Sequence, residues 1–96
     1  MSSYALTKRA EADLFDILLF GYEQFGMRRA EAYAIELEQV FQLLADNPRM
    51  GREAEVIGRG VRRHEHASHI ILYEITAAGV LILATVHTSS VKRLTL

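Results

Sequence analysis

The spacing of apolar positions changes period partway along the chain. In the first half Ala10, Leu14, Ile17, Leu18 and Gly21 recur at intervals of three and four, which predicts a helix from Lys8 to about Phe25. Thr7 is suited to cap its first turn and Gly26 to stop it. Gly21 within this helix costs about 1 kcal/mol relative to alanine and so predicts close approach by a neighbour. Ala30, Tyr33, Leu37, Val40, Phe41 and Leu44 form a second seam, with Glu31, Glu36, Glu38 and Gln42 mainly off it. They predict a helix from about Arg28 to Asp46, ended by Asn47-Pro48. Only two or three residues join the two helices, so they form an antiparallel hairpin. Tyr4-Ala5-Leu6, ahead of the first helix, reads as a short strand.

From Gly60 to His87 the period shortens and β-branched residues accumulate. Two compact loops, Ala67-Ser68 and Thr76-Ala77-Ala78-Gly79, divide this stretch into a three-stranded antiparallel meander. If the loops fix the register, Ile75 lies opposite Val80, His66 opposite His69, and Ser68 opposite His87. One face then holds Arg62, His64, His66, His69, Ile71, Tyr73, Ile75, Val80, Ile82, Ala84 and Val86. The other holds Val61, Arg63, Glu65, Ile70, Leu72, Glu74, Leu81, Leu83, Thr85 and His87. Both faces are apolar enough to need cover, yet one helical layer covers one of them. The sheet is therefore expected to be short of cover and to offer an interface to a standing partner. A homodimer or a folded-over tail is the plainer alternative.

Residues 49–59 mix glycine and charge without period and read as a crossover loop, with Val56-Ile57 tucked under the core. Thr88 to Leu96 reads as a short edge strand or a free end. The expected fold is α+β in the order β-α-α-β-β-β, with residues 1–96 as a single domain.

Composition narrows the function classes. The 96 residues contain no cysteine, which removes disulfide frameworks and thiolate metal sites. No apolar run approaches the roughly 18 residues that span a bilayer. The start, MSSYALTKRAEADLF, lacks the basic head and apolar core of a signal peptide, so a cytoplasmic protein is expected. The net charge of −1 hides an asymmetry: residues 1–48 carry 4 basic and 8 acidic side chains, residues 49–96 carry 7 and 4. With a pI near 6.4, direct nucleic-acid binding is not expected, although a local basic patch on the sheet would suffice for it.

The candidate chemistry lies in the meander: Arg62, Arg63, His64, His66, His69, Tyr73 and His87. His64 and His66, with His69 opposite, offer three nitrogens in a geometry that zinc accepts. Strand-end histidines are more often solvated or hydrogen-bonded, and no metal or cofactor is expected. Arg62 and Arg63 project to opposite faces, so at most one serves a given site. Tyr73, at mid-strand, reads as a core or groove aromatic with its hydroxyl satisfied rather than as a catalytic group. His87 reads as a partner of Ser68 across the ladder.

One run of residues matches a known pattern across most of the chain. It comprises Ala10, Asp13-Leu14, Ile17, Ala30, Tyr33, Leu37, Phe41, Leu44-Ala45, Pro48 and Gly51, then Gly60, Arg62-Arg63, Ser68-His69-Ile70-Ile71, Tyr73, Gly79-Val80, Ile82, Val86 and His87. In order and spacing it resembles the ParE branch of the RelE/ParE toxin superfamily, the toxin halves of bacterial toxin–antitoxin pairs. The resemblance implies a plasmid-stabilisation type toxin held inactive in a hetero-oligomer by a ParD-like antitoxin. It implies a binding module that inhibits DNA gyrase, without catalytic residues.

On this reading the target-binding candidates are Arg62, Arg63, His64, His66, His87, Lys92 and Arg93. The antitoxin-binding candidates are Leu14, Leu18, Tyr33, Leu37, Leu72 and Leu83. RelE-type relatives instead cut mRNA on the ribosome, and in that alternative Arg62, Tyr73 and His87 would supply the cation, acid and base. An inactive antitoxin-binding homologue is the third reading. The near-neutral charge, and the ending TVHTSSVKRL without a tyrosine or dense basic cluster, favour the gyrase branch. Many ParE sequences have glycine and charged residues after the last-strand histidine, where this chain has Thr88-Ser89-Ser90.

Overall fold

The computed structural model describes residues 2–93, with side chains described through residue 90. Strand β1 (Ser3–Leu6) leads into helix α1 (Lys8–Phe25), and α2 (Met27–Asp46) follows after a single residue. That residue is Gly26, whose φ of 89° is a conformation a side chain would resist. A two-residue strand β2 (Arg52–Glu53) precedes the meander of β3 (Arg62–His66), β4 (His69–Ile75) and β5 (Gly79–His87). The sheet order is β1-β5-β4-β3-β2. It is mixed rather than purely antiparallel, because β1 joins β5 in parallel. A 3₁₀ helix (Thr88–Arg93), not an edge strand, follows β5.

The hairpin lies on one face of the sheet. Leu37, Phe41, Leu44 and Ala45 of α2 and Ala10 of α1 close over Ile71, Tyr73, Val80 and Ile82, with Leu14, Ile17 and Tyr33 at the edge of this core. Gly21 meets α2 as its sequence position predicts: a Cβ there would stand 3.3 Å from the Cβ of Ala30. Thr7 caps α1, its hydroxyl accepting from the amide of Ala10 at 3.0 Å.

The far face is not bare. Val61, Ile70, Leu72 and Ala84 are buried there, with Ala54, Ile57, Leu83 and Val86 packed around them. The crossover segment thus supplies cover that a helix-only count overlooks. Ile57 tucks in as expected, whereas Val56 is fully exposed. The expectation of an uncovered sheet is therefore corrected. The large exposed apolar side chains lie mainly on the helices: Phe15, Leu19, Phe20, Tyr22 and Phe25 of α1, and Met27, Ile35 and Leu43 of α2.

The register differs from expectation at one point. Ile75 pairs with Val80 and His66 with His69, as the loops dictate. Between Tyr73↔Ile82 and Leu72↔Ala84, however, Leu83 is an extra residue in β5, a bulge. Beyond it the faces exchange, so Thr85 and His87 point toward the helices while Ala84 and Val86 join the far face. His87 consequently pairs with His69 rather than Ser68, whose carbonyl takes the amide of Thr88.

Two side chains, from the N-cap of α1 and its second turn, hold the bulge in place. β1 pairs with β5 only as far as Ile82, and past that point Thr7 donates its hydroxyl to the Leu83 carbonyl at 2.9 Å. The Asp13 carboxylate accepts from the Thr85 amide at 2.9 Å. The chain turns out of the sheet at Thr7, and two polar side chains replace the strand that is no longer there.

Candidate functional site

The sequence-predicted residues separate into two groups at opposite ends of the sheet. At the β2 end, Arg62 directs its Nε and Nη2 at the Gly51 carbonyl (3.0 and 2.6 Å) and Nη2 also at the Arg49 carbonyl (3.3 Å), with Glu53 at 3.7 Å. Tyr73 is fully buried. Its hydroxyl accepts from the Gly51 amide at 2.9 Å and donates to the Pro48 carbonyl at 2.7 Å. A Cβ on Gly51 would lie 2.7 Å from the Arg63 carbonyl, so glycine is required for the loop to reach the tyrosine. Arg62 and Tyr73 are thus neighbours across β3 and β4 that clamp the segment after α2. His87 stands at the other end, beside His69, which is four residues from Tyr73 and so about 13 Å away along the strand. The cation, tyrosine and histidine of a nuclease site do not converge.

Arg63 faces away from the helices and meets Glu65 at 3.1 Å, as does Arg52 at 2.7 Å. The Arg63 Nε is buried without a hydrogen-bond partner. His64 is half-buried opposite Ile71, and burial, then the nearby His66, lowers its pKa against the pull of Glu65. The side chains of Lys92 and Arg93 lie outside the described residues.

The second group is more compact. Pairing places His66, His69 and His87 abreast on three neighbouring strands, all toward the helices. Tyr33 of α2 reaches down to them, its hydroxyl 2.7 Å from the His69 Nδ1. With the phenol as donor, His69 carries its proton on Nε2. The Tyr33 ring lies 6.1 Å from that of His66, and the rings of His69 and His87 meet edge-on at 5.7 Å. His66 Nε2 stands 3.2 Å from the Glu36 carboxylate. His87 Nδ1 is bonded to the amide and hydroxyl of Ser89. Burial, then His87 and His66, lowers the pKa of His69, whereas burial and Glu36 raise that of Tyr33. Among the described residues, no three His, Asp or Glu side chains are placed to hold a metal ion.

His69 and His87, with Ser68 and Thr85, form the sheet-side wall of a groove of about 610 Å³, and Tyr33 lines it from α2. The opposite walls come from the turn end of the hairpin: Ile17, Phe20, Gly21, Phe25 and Ala30, with Asp16 and Arg29 among the polar lining. The Arg29 guanidinium sits 5.2 Å from the centre of the Phe25 ring. Thr85 is 3% exposed and its hydroxyl has no partner. The lining is mostly apolar, fit to take apolar side chains together with a few hydrogen bonds.

Of the six side chains expected to contact an antitoxin, Tyr33 lines this groove. Leu14 and Leu18 are half-buried on α1 and Leu83 half-buried on the far face. Leu37 and Leu72 are fully buried and have no surface for a partner. Phe20, Phe25, Arg29 and Thr85 did not emerge from the sequence reading. The first two had a signal, since DILLFGYEQF is apolar well outside its core seam, as expected of a helix with two contact faces.

Known proteins share both the sequence and the fold. Residues 4–91 match the family model for the ParE toxin of the type II toxin–antitoxin system parDE. Toxin ParE1 of Caulobacter vibrioides is 35% identical over 89 residues, covering 93% of this chain and 92% of that protein. Toxin ParE1 of Mycobacterium tuberculosis is 35% identical over 80 residues, covering 83% and 82%. A solved structure described as a chromosomal ParDE system from P. aeruginosa superposes with a TM-score of 0.75 at 24% identity, over 91% of this chain and 96% of that one. By sequence over nearly its whole length, this chain belongs to the family of ParE toxins of type II toxin–antitoxin systems.

Proposed function

We propose that this toxin is neutralised by a ParD-like antitoxin seated on the hairpin and in its groove, and that the free toxin acts in the cytoplasm by inhibiting DNA gyrase as a binding module. The observation that carries the first half is the placement of apolar surface. Phe15, Leu19 and Tyr22 form an exposed stripe at spacings of four and three on one flank of α1, while Phe20 and Phe25 open into the groove on the other. So much apolar surface on a small domain calls for a partner.

The engagement of the three nuclease candidates supports the second half. Arg62 and Tyr73 are committed to holding the segment at Gly51, and His87 lies at the opposite end of the sheet. Arg63, His64, His66 and His87 stay as proposed target contacts. Reversing charge at Arg62, or at Arg63 beside Glu65, would test the fold as much as the target, so Arg63→Gln, checked by its melting curve, is the cleaner variant.

The test is a gyrase supercoiling and DNA-cleavage assay with purified toxin, run with and without a co-expressed ParD-like antitoxin. Cleaved DNA is expected to accumulate with toxin and to disappear when antitoxin is added. A folded toxin that leaves gyrase untouched yet produces ribosome-dependent mRNA cuts would overturn the gyrase reading. No growth arrest on induction would point instead to an inactive antitoxin-binding homologue.

A further inference from the structure

The groove is apolar on its helical side, but its sheet-side wall carries imidazole rings. His69 and His87 line it, His66 adjoins them, and Tyr33 links His69 to α2. Thr85 lines the groove between them and α1, a residue 3% exposed whose hydroxyl has no partner. A segment that fills this groove must cover His69 and His87, and burying an imidazolium is far more costly than burying neutral imidazole.

We propose that partner binding in this groove is proton-linked: neutral His69 and His87 accept the occupant, and their protonation expels it. The inference rests on the reading that the antitoxin sits here.

Charge on the pair is poorly compensated, because among the described residues no carboxylate stands at ion-pair distance from His69 or His87. From α1, Asp13 is engaged by the Thr85 amide and lies 3.8 Å from Arg9, while Asp16 lines the groove. From α2 come Arg29, a cation on the same lining, the Tyr33 hydroxyl, and Glu36, which is beside His66 rather than His69. From β3, His64 and His66 share the helix-side face, and charge on His66 would oppose charge on His69. From β5, His87 meets His69 edge-on, so charge on His87 disfavours a proton on His69. The occupied complex therefore holds fewer protons than its separated parts, and by linkage affinity falls as pH falls.

The test is a pH series from 8 to 5 on toxin binding to a co-expressed ParD-like antitoxin, joined to NMR titration of the imidazoles in the free toxin and in the complex. The dissociation constant is expected to rise about tenfold per proton excluded for each pH unit below the free imidazole value. His69→Asn, whose amide oxygen can still accept from Tyr33, and His87→Asn should each flatten the profile. In the complex, the wild-type His69 and His87 signals should titrate at lower pH than in the free toxin.

Affinity that does not change with pH, or imidazoles that titrate alike free and bound, would overturn the proposal without touching the antitoxin reading. So would a slope that persists in both variants, since it would then arise elsewhere. Nile red, a neutral apolar dye, gives an arm that needs no antitoxin: its fluorescence with free toxin should drop on acidification, and a flat response would count against the linkage. A toxin that binds antitoxin at no pH would instead overturn the function proposed above, and the partner named here with it.

Discussion

Single side chains decide where β5 bends. Asp13 takes the amide of Thr85 and Thr7 takes the carbonyl of Leu83, both groups that a neighbouring strand would otherwise pair. Asp13→Ala leaves a buried amide unpaired and is expected to cost about 1–3 kcal/mol in chemical denaturation, whereas Asp13→Asn, which keeps an acceptor oxygen, should cost less. If the two variants lose equal stability, the charge or packing of Asp13 matters rather than its bond to Thr85.

A second prediction at this scale concerns His69 and His64, both of whose pKa values lie below the ordinary one. The unfolded chain takes up these protons at about pH 6.5, the folded chain only at lower pH. In that interval the unfolded state binds more protons, so stability is full above it and declines as pH falls through it. Melting temperature should therefore fall between pH 7 and 5, with a shallower decline in His69→Asn. A melting temperature that does not change over this range would contradict the burial seen here.

At the scale of elements, the β3–β4 turn stands out because it carries its site residues on a conformation suited to glycine. Ala67 has a φ of 52°, in the left-handed region. Alanine pays roughly 1 kcal/mol or more for that conformation, so Ala67→Gly is expected to stabilise the protein by up to about 1 kcal/mol, the larger unfolded entropy of glycine offsetting part of the gain. Thermal denaturation checks this, and a destabilised variant would mean that the Ala67 methyl makes a contact worth more than the strain.

The helices, their cap at Thr7 and the two-residue turn itself could all be read from local pattern. So could the pairing of His66 with His69, because a short loop leaves the chain no other register. The bulge at Leu83 could not. It is held by residues 76 and 72 positions away in the chain, at Thr7 and Asp13, and no local pattern in β5 announces it.

For the whole molecule, the question is which surface remains for a partner. The far face of the sheet is closed by Ala54, Ile57 and their neighbours, and the exposed apolar surface is on the hairpin. Replacing Phe15, Leu19 and Tyr22 together by Lys, Glu and Lys should leave the circular-dichroism spectrum and melting temperature nearly unchanged, since all three side chains are exposed. Under the proposed function it should weaken antitoxin binding by an order of magnitude or more. Unaltered neutralisation in cells would move the interface to the groove alone.

The sequence by itself determined the element order and the seam each helix buries, because periodicity, caps and tight turns are local properties of the chain, and its likeness to known toxins pointed to the family. The tertiary structure alone decided that β1 joins the sheet in parallel and that the crossover loop covers the far face. Through the bulge, it also decided that His87 and Thr85 turn toward the helices to complete the groove with Tyr33 and His69. Each of these depends on which distant groups are left without a hydrogen-bond or packing partner once the core has closed, and that is a property of the assembled chain rather than of any stretch of it.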